Sequence, residues 1–169
     1  DQVMVLVRDI TERRRAERLL QALNEAALAM EQALTKDEIY AAVSGEFRKL
    51  GLDCAVLLAD ESKSQLLPRY HSYEAVSVEA VQELLGLEAQ DLVLAAESAG
   101  IFAEVVRERK TILVGGESAI RQMLPEPLRR FAGQVAEILR VPRLILAPLI
   151  VEEEVIGLLT VQAGDLVAG

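Results

Sequence analysis

The 169-residue sequence has very few of the side chains on which covalent and metal chemistry usually depend. It contains one cysteine (Cys54), one histidine (His71) and no tryptophan, and aromatic residues make up only 4% of the chain. One cysteine excludes an internal disulfide framework, and one cysteine with one histidine cannot complete a four-ligand zinc site of sulfur and nitrogen. The composition therefore predicts a reducing compartment, no required cofactor and no metal site.

The sequence also lacks an excess of positive charge and a long apolar run. Its net charge of −9 argues against a nucleic-acid partner, because an acidic surface repels phosphate. The longest apolar run, 144–151, is far shorter than the ~20 residues that span a bilayer. No basic segment followed by an apolar one marks a signal peptide. We expect a cytoplasmic chain without membrane contact of its own, which is compatible with a membrane anchor elsewhere in a parent protein.

The first 34 residues predict a strand followed directly by a helix. The β-branched run 3–7 is typical of a strand, and apolar residues beyond it recur at spacings of 4, 3, 4, 3 and 4. This heptad pattern predicts a coiled-coil-like helix that pairs with a second copy in a parallel homodimer. The alternative is a helix lying on its own domain, because Leu19, Ala26 and Ala33 widen the stripe. The predicted seam consists of Ala16, Leu20, Leu23, Ala27, Met30 and Leu34.

The rest of the chain alternates between helical and strand patterns. Thr35 and Glu38 have the spacing of a capping box, and Gly51 suits the end of the helix that follows. Ser77 is the expected cap of a mainly helical stretch, 77–109, which Gly86 interrupts. The remaining predicted elements are a hairpin of 53–60 and 64–73, a strand at 111–116, a helix at 126–140, and a hairpin of 142–151 and 155–163.

This order predicts an α+β fold with a central antiparallel sheet of about five or six strands flanked by helices. The last hairpin is apolar on both faces, so we expect it to be central and covered on both sides. The Gly-Gly-Glu-Ser stretch at 115–118 is interpreted as a connecting loop, and the acidic stretch 152–154 as a solvated hairpin tip.

The second strand of the first hairpin carries most of the candidate ligand-binding side chains. Strand alternation places Arg69, His71 and Tyr73 on one face and Tyr70 on the other. Cys54 lies on the neighbouring strand, where a Cys54–His71 nucleophile pair is conceivable, but an apolar strand favours a buried and inert cysteine. Arg69, His71, Tyr73 and Cys54 are therefore candidates for lining a ligand pocket, and no catalytic residue is predicted.

Three stretches resemble known signalling domains. The segments GIFAEVVRERKTILVG (100–115) and RLILAPLIVEEEVIGLLTVQA (143–163) resemble the GAF domain family, and VRDITERRRAE (7–17) resembles the end of a PAS domain with its linker helix. The resemblance implies a PAS remnant at 1–10, a signalling linker helix at 11–34, and a GAF-like sensory domain at 35–169 whose closing helix is truncated.

The same resemblance implies a function. GAF modules of this kind are non-catalytic sensory and dimerisation modules, and the expected parent protein is a sensor histidine kinase. An unidentified small molecule is expected between the sheet and the helices. The alternative is a free-standing GAF-like enzyme such as a methionine sulfoxide reductase, although turnover of that reaction normally needs more than one thiol.

Overall fold

The computed structural model describes residues 14, 17, 18, 21, 25, 36–88, 91, 94–95, 100–151 and 153–163. The chain divides into two compact units, 1–52 with 165–169, and 53–164. In the first unit the described residues before position 30 are helical and exposed. The predicted strand at 3–7, the cap residue Thr35 and all six seam residues lie outside the described part of the chain.

The first unit contains helix α1, Lys36–Lys49. Val43 and Phe47, four positions apart on one face, are buried, as the helical pattern predicts. Gly51 follows with a φ of 69°, in the left-handed region where glycine commonly terminates a helix. The helix predicted for this stretch is therefore confirmed, including its end.

The second unit is built on a six-stranded antiparallel sheet, which confirms the predicted fold class. The strand order is β3-β2-β1-β6-β5-β4, so the last hairpin contributes the central strand β6. The strands are β1 (Cys54–Ala59), β2 (Gln65–His71), β3 (Leu94–Ala95), β4 (Ile112–Gly115), β5 (Arg143–Val151) and β6 (Glu154–Gln162).

The turn between β1 and β2 is organised by Asp60. Its carboxylate accepts hydrogen bonds from the Ser62 hydroxyl at 2.6 Å and from the Gln65 backbone N–H at 3.0 Å. These bonds, that of Ser62 foremost, lower the pKa of Asp60 because they favour the ionised carboxylate. The antiparallel pairing of β1 with β2 across this turn confirms the predicted first hairpin.

The last hairpin is covered only in part. Residues 157–162 of β6 are buried, and Gly157 passes so close to β1 that a Cβ there would lie 2.2 Å from the Leu57 carbonyl oxygen. Towards the turn, however, Ile150, Val151 and Ile156 are exposed. The expectation of complete cover on both sides is thus wrong at the turn end, where the hairpin extends beyond the last pair of β6 with β1, at Gly157.

Five helical segments of the described residues, besides the single 3₁₀ residue Asp91, accompany the sheet. They are α2 (Ala75–Leu85), α3 (Ile101–Glu108), α4 (Gly116–Met123), a 3₁₀ helix (Glu126–Phe131) and α5 (Ala132–Ile138). Ser77 lies inside α2 and does not cap it, whereas Gly86 ends α2 with a φ of 65°, as predicted. The loop predicted at 115–118 is wrong, because α4 begins directly where β4 ends.

Among the described residues, two clusters of buried side chains join these elements. One lies between the sheet and α3, where Phe102 and Val105 pack with Leu57, Leu146 and Leu158. The other joins α2, α4 and α5 through Leu85, Ile120, Leu124, Ala132 and Val135. These clusters pack helices against one face of the sheet. A gap remains on that face between α2 and the β1–β2 hairpin.

Candidate functional site

A cavity of about 130 Å³ lies between α2 and the β1–β2 hairpin. We call it the α2 cavity. Its wall is almost entirely apolar, and its lining residues come from two strands and three further segments of the chain. They are Ala55, Leu57, Pro68, Tyr70, His71, Tyr73, Val78, Val81, Gln82, Leu85, Leu87, Glu88, Met123 and Leu139.

A bulge in β2 shapes the strand side of this cavity. Leu57 pairs with Pro68 and Ala55 pairs with His71, so three residues of β1 oppose four of β2. Residues directly opposite in an antiparallel pair share a face. The bulge therefore places Pro68 and His71 on the same side, which uninterrupted alternation would not do.

Tyr70, His71 and Tyr73 are all among the residues that line the cavity. Tyr70 pairs with Val56 and His71 with Ala55, so strand alternation turns these two side chains to opposite faces of the sheet, the arrangement predicted from the sequence. The ring centroids of His71 and Tyr73 are 6.1 Å apart, with the rings inclined by 33°. Arg69, the fourth residue of this group, is exposed and does not line the cavity. The structure thus brings His71 and Tyr73 together but leaves Arg69 outside.

Tyr73 supplies a neutral phenol to this wall. Burial raises the pKa of Tyr73 above its ordinary value of 10.0, and the negative charge of Asp53 adds to the effect. The hydroxyl therefore stays protonated at physiological pH. It provides a hydrogen-bonding group without charge in an otherwise apolar surrounding.

Cys54 lies away from the cavity. Its side chain is fully buried, and its backbone N–H donates to the Ser72 hydroxyl at 2.9 Å, which in turn donates to Asp53 at 2.8 Å. Because Ala55 is paired with His71, alternation turns Cys54 to the opposite face of the sheet. A nucleophile pair of Cys54 and His71 is therefore excluded by geometry.

The polar part of the cavity lies at the end of α2. The Gln82 side-chain amide donates to the Glu88 carboxylate at 2.6 Å, and both residues line the cavity. Glu88 is also exposed, so the polar pair stands where the apolar wall reaches solvent. An arrangement of this kind can hold a small molecule with an apolar body and one polar group at its outer end.

The volume limits the size of such a molecule. An apolar cavity of ~150 Å³ accommodates a benzene ring, whereas pockets for larger organic ligands occupy ~300–1,000 Å³. The α2 cavity is therefore matched to a molecule of about one ring. Among the described residues, no group of three or more His, Cys, Asp or Glu side chains could hold a metal ion.

Of the residues that line this cavity, the sequence predicted only His71 and Tyr73, on the β2 side. The opposite wall, contributed by Val78, Val81, Gln82 and Leu139, was missed. The helical pattern of α2 shows an apolar stripe but does not say whether the stripe faces a filled core or a gap. The bulge in β2 likewise contains no glycine that would mark it in the sequence.

The sheet order and the flanking helices define an α+β architecture, and comparison with solved structures identifies it as a GAF-like fold. The GAF domain of A. aeolicus nlh2 in an inactive state superposes with a TM-score of 0.57 at 15% identity, over 87% of this chain and 80% of that one. The GAF domain of an Acinetobacter phosphoenolpyruvate-protein phosphotransferase gives 0.56 at 14% identity, over 85% and 76%.

A third structure, residues 122 to 287 of a methyl-accepting chemotaxis protein, has a TM-score of 0.52 at 18% identity and covers 81% of this chain and 77% of that one. No protein-family model matches the sequence, and no curated protein matches it either. At these identities the similarity establishes the fold, which confirms the GAF-like fold expected from the sequence.

Proposed function

We propose that this chain is a non-catalytic sensory module of a signal-transduction protein and that it binds a small, mainly apolar molecule in the α2 cavity. The observation that carries the proposal is the cavity itself, with His71 and Tyr73 on its strand side and the Gln82–Glu88 pair at its outer end. The GAF fold supports it, since a chemotaxis protein is among the structures with the same architecture.

A hydrogen bond connects the wall of the cavity to the central strand of the sheet. Leu139 lines the cavity, and its carbonyl oxygen accepts a hydrogen bond of 2.7 Å from the side chain of Gln162 on β6. A ligand that displaces this segment would alter a hydrogen bond to the central strand. Coupling between two sites typically amounts to about 1–3 kcal/mol, which the loss of one such buried bond can supply.

We further propose that the linker helix at 11–34 carries the response through a parallel homodimer, in a cytoplasmic part of a sensor histidine kinase. The support is the heptad spacing together with the described residues of that segment. Arg14, Glu17, Arg18, Gln21 and Glu25 are helical and exposed, and none of them belongs to the predicted seam. Their positions fit the outer face of such a helix pair.

A catalytic alternative has no support from the described residues. A methionine sulfoxide reductase would require an accessible thiolate, and Cys54 is completely buried in a strand. The fold has no other cysteine to offer, because the sequence contains only this one.

Native mass spectrometry of the 169-residue chain, before and after denaturation, tests the proposal. We expect a bound molecule that is released on denaturation and that is absent from Val81→Phe, in which the larger side chain fills the cavity. Val76→Phe is the matched control, because Val76 lies on the same helix but is exposed and should retain the molecule. Equal retention by both variants would place the molecule elsewhere and contradict the proposal.

A further inference from the structure

A second cavity, of about 330 Å³, lies where the turn ends of the two hairpins meet the C-terminal end of α3. It is called the hairpin cavity here, and it shares no lining residue with the α2 cavity. Its apolar lining is buried or half-buried and its charged lining is exposed, so it has an apolar floor and a charged rim. The floor consists of Ala59, Leu66, Val106 and Val155, and the rim of Lys63, Arg107, Arg109 and Glu154.

The rim is positively charged in a chain whose net charge is −9. Lys63 donates to Glu154 at 2.7 Å, and Arg107 to Glu108 at 3.2 Å. Within the described part of the chain no carboxylate pairs with Arg109. Cations at a helix C-terminus are favoured by the helix dipole. That effect accounts for arginines at the end of α3, but it does not account for Lys63 in a β-turn or for the apolar floor.

The backbone of the rim has an uncommon conformation at two of its charged residues. Lys63 and Arg109 have φ values of 59° and 53°, in the left-handed region where glycine is the favoured residue, and Glu153 beside the rim has 69°. Arg140 is the one other described non-glycine residue with positive φ. Strained backbone of this kind gathers at ligand sites. Charged side chains thus occupy two rim positions where glycine would suit the fold better.

We propose that the hairpin cavity binds an amphipathic carboxylate: the guanidinium groups of Arg109 and Arg107 hold the carboxylate, and Leu66 and Val106 receive a short apolar tail. A planar guanidinium matches a carboxylate through two parallel, charge-assisted hydrogen bonds. The volume falls in the ~300–1,000 Å³ range of small-molecule sites. One charge on the ligand suffices, because Lys63 is already compensated by Glu154.

Octanoate, titrated calorimetrically into the full 169-residue chain at low salt, is the probe. We expect saturable binding at least tenfold tighter than that of octan-1-ol, which has the tail without the charge, and of acetate, which has the charge without the tail. Arg109→Gly should weaken octanoate binding at least tenfold while leaving the melting temperature unchanged or higher. Glu154→Gln should strengthen binding, because it frees Lys63 for the ligand.

Arg140→Gly is the matched control, since it removes the same charge from the same left-handed backbone conformation outside both cavities. It should retain octanoate affinity. Equal affinities for octanoate and octan-1-ol, or for octanoate and acetate, would overturn the proposal, as would unchanged affinity in Arg109→Gly.

The test also separates this proposal from the one for the α2 cavity. Val81→Phe should leave octanoate binding intact. If Val81→Phe abolished octanoate binding while Arg109→Gly did not, the fatty acid would be bound in the α2 cavity, and the proposed hairpin site would be wrong.

Discussion

The side-chain amide of Gln162 donates a hydrogen bond of 2.7 Å to the carbonyl oxygen of Leu139. This bond joins the central strand β6 to the residue that follows α5 and lines the α2 cavity. A second, longer bond of 3.3 Å runs from the same amide to the Arg140 carbonyl. Gln162 is buried, so its amide is a structural connection between the sheet and the wall of the cavity.

Replacing this amide should destabilise the fold. Gln162→Met keeps the length of the side chain but leaves two carbonyl oxygens without their donor, at a cost of about 1–3 kcal/mol. We expect the free energy of unfolding in urea to fall by that amount. Gln65→Met, at an exposed position of β2, should change it by less than ~0.5 kcal/mol. Equal effects of the two substitutions would show that the bond has no special role.

The two glycines at the junction of β4 and α4 should differ sharply in their tolerance of substitution. A Cβ at Gly116 would lie 1.8 Å from the Val141 carbonyl oxygen, whereas at Gly115 the nearest atom is 4.0 Å away. Gly116→Ala must therefore displace backbone, and we expect a loss of about 1–3 kcal/mol. Gly115→Ala should be tolerated within ~0.5 kcal/mol, because its φ of −66° is ordinary for any residue. Thermal denaturation of both variants checks the difference.

The buried phenol of Tyr73 should make the protein sensitive to alkaline pH. Its pKa is raised in the folded state, so the unfolded chain loses the proton first as pH rises. The Tyr73 contribution is fully present below about pH 10, the ordinary pKa of tyrosine, and is lost as pH rises through the higher folded value. Unfolding free energies of the wild type should therefore decline above about pH 10, and Tyr73→Phe should decline less steeply. Parallel declines in the two proteins would contradict the prediction.

The proposed dimer depends on the seam of the linker helix. Leu20→Glu combined with Leu23→Glu should convert a dimer into a monomer, because burial of each leucine contributes roughly 1.5–3 kcal/mol. Arg18→Glu with Gln21→Glu changes two exposed helical positions nearby and should leave the dimer intact. Multi-angle light scattering reports the mass of each variant. An unchanged mass in the seam variant would assign the apolar stripe to an intrachain contact.

Much of the fold was predictable because its elements carry strong local patterns. The apolar run 143–151, the β1–β2 hairpin and Gly86 at the end of α2 all follow from residue periodicity or turn chemistry. Helix α4 was missed because it begins with glycine and contains several polar residues, a composition typical of a loop. Its first residue, Gly116, packs closely against Val141, and this tertiary contact is not specified by the local sequence.

The candidate site was less predictable than the fold, for a similar reason. His71 and Tyr73 could be identified as candidates from their residue types, but the bulge that places Pro68 and His71 on one face depends on how β2 pairs with β1. The left-handed conformations of Lys63 and Arg109 are also invisible in the sequence, because neither position holds glycine. Both cavities arise from the meeting of distant segments, which local patterns do not specify.

Ligand binding in the α2 cavity is the central claim, and an NMR titration of the isotopically labelled chain with benzene tests it most directly. We expect saturable shift changes concentrated at the lining residues, including Tyr73, Val78 and Leu139, with the response lost in Val81→Phe and kept in Val76→Phe. Shift changes that do not saturate, or that persist equally in Val81→Phe, would show that the cavity is not a binding site.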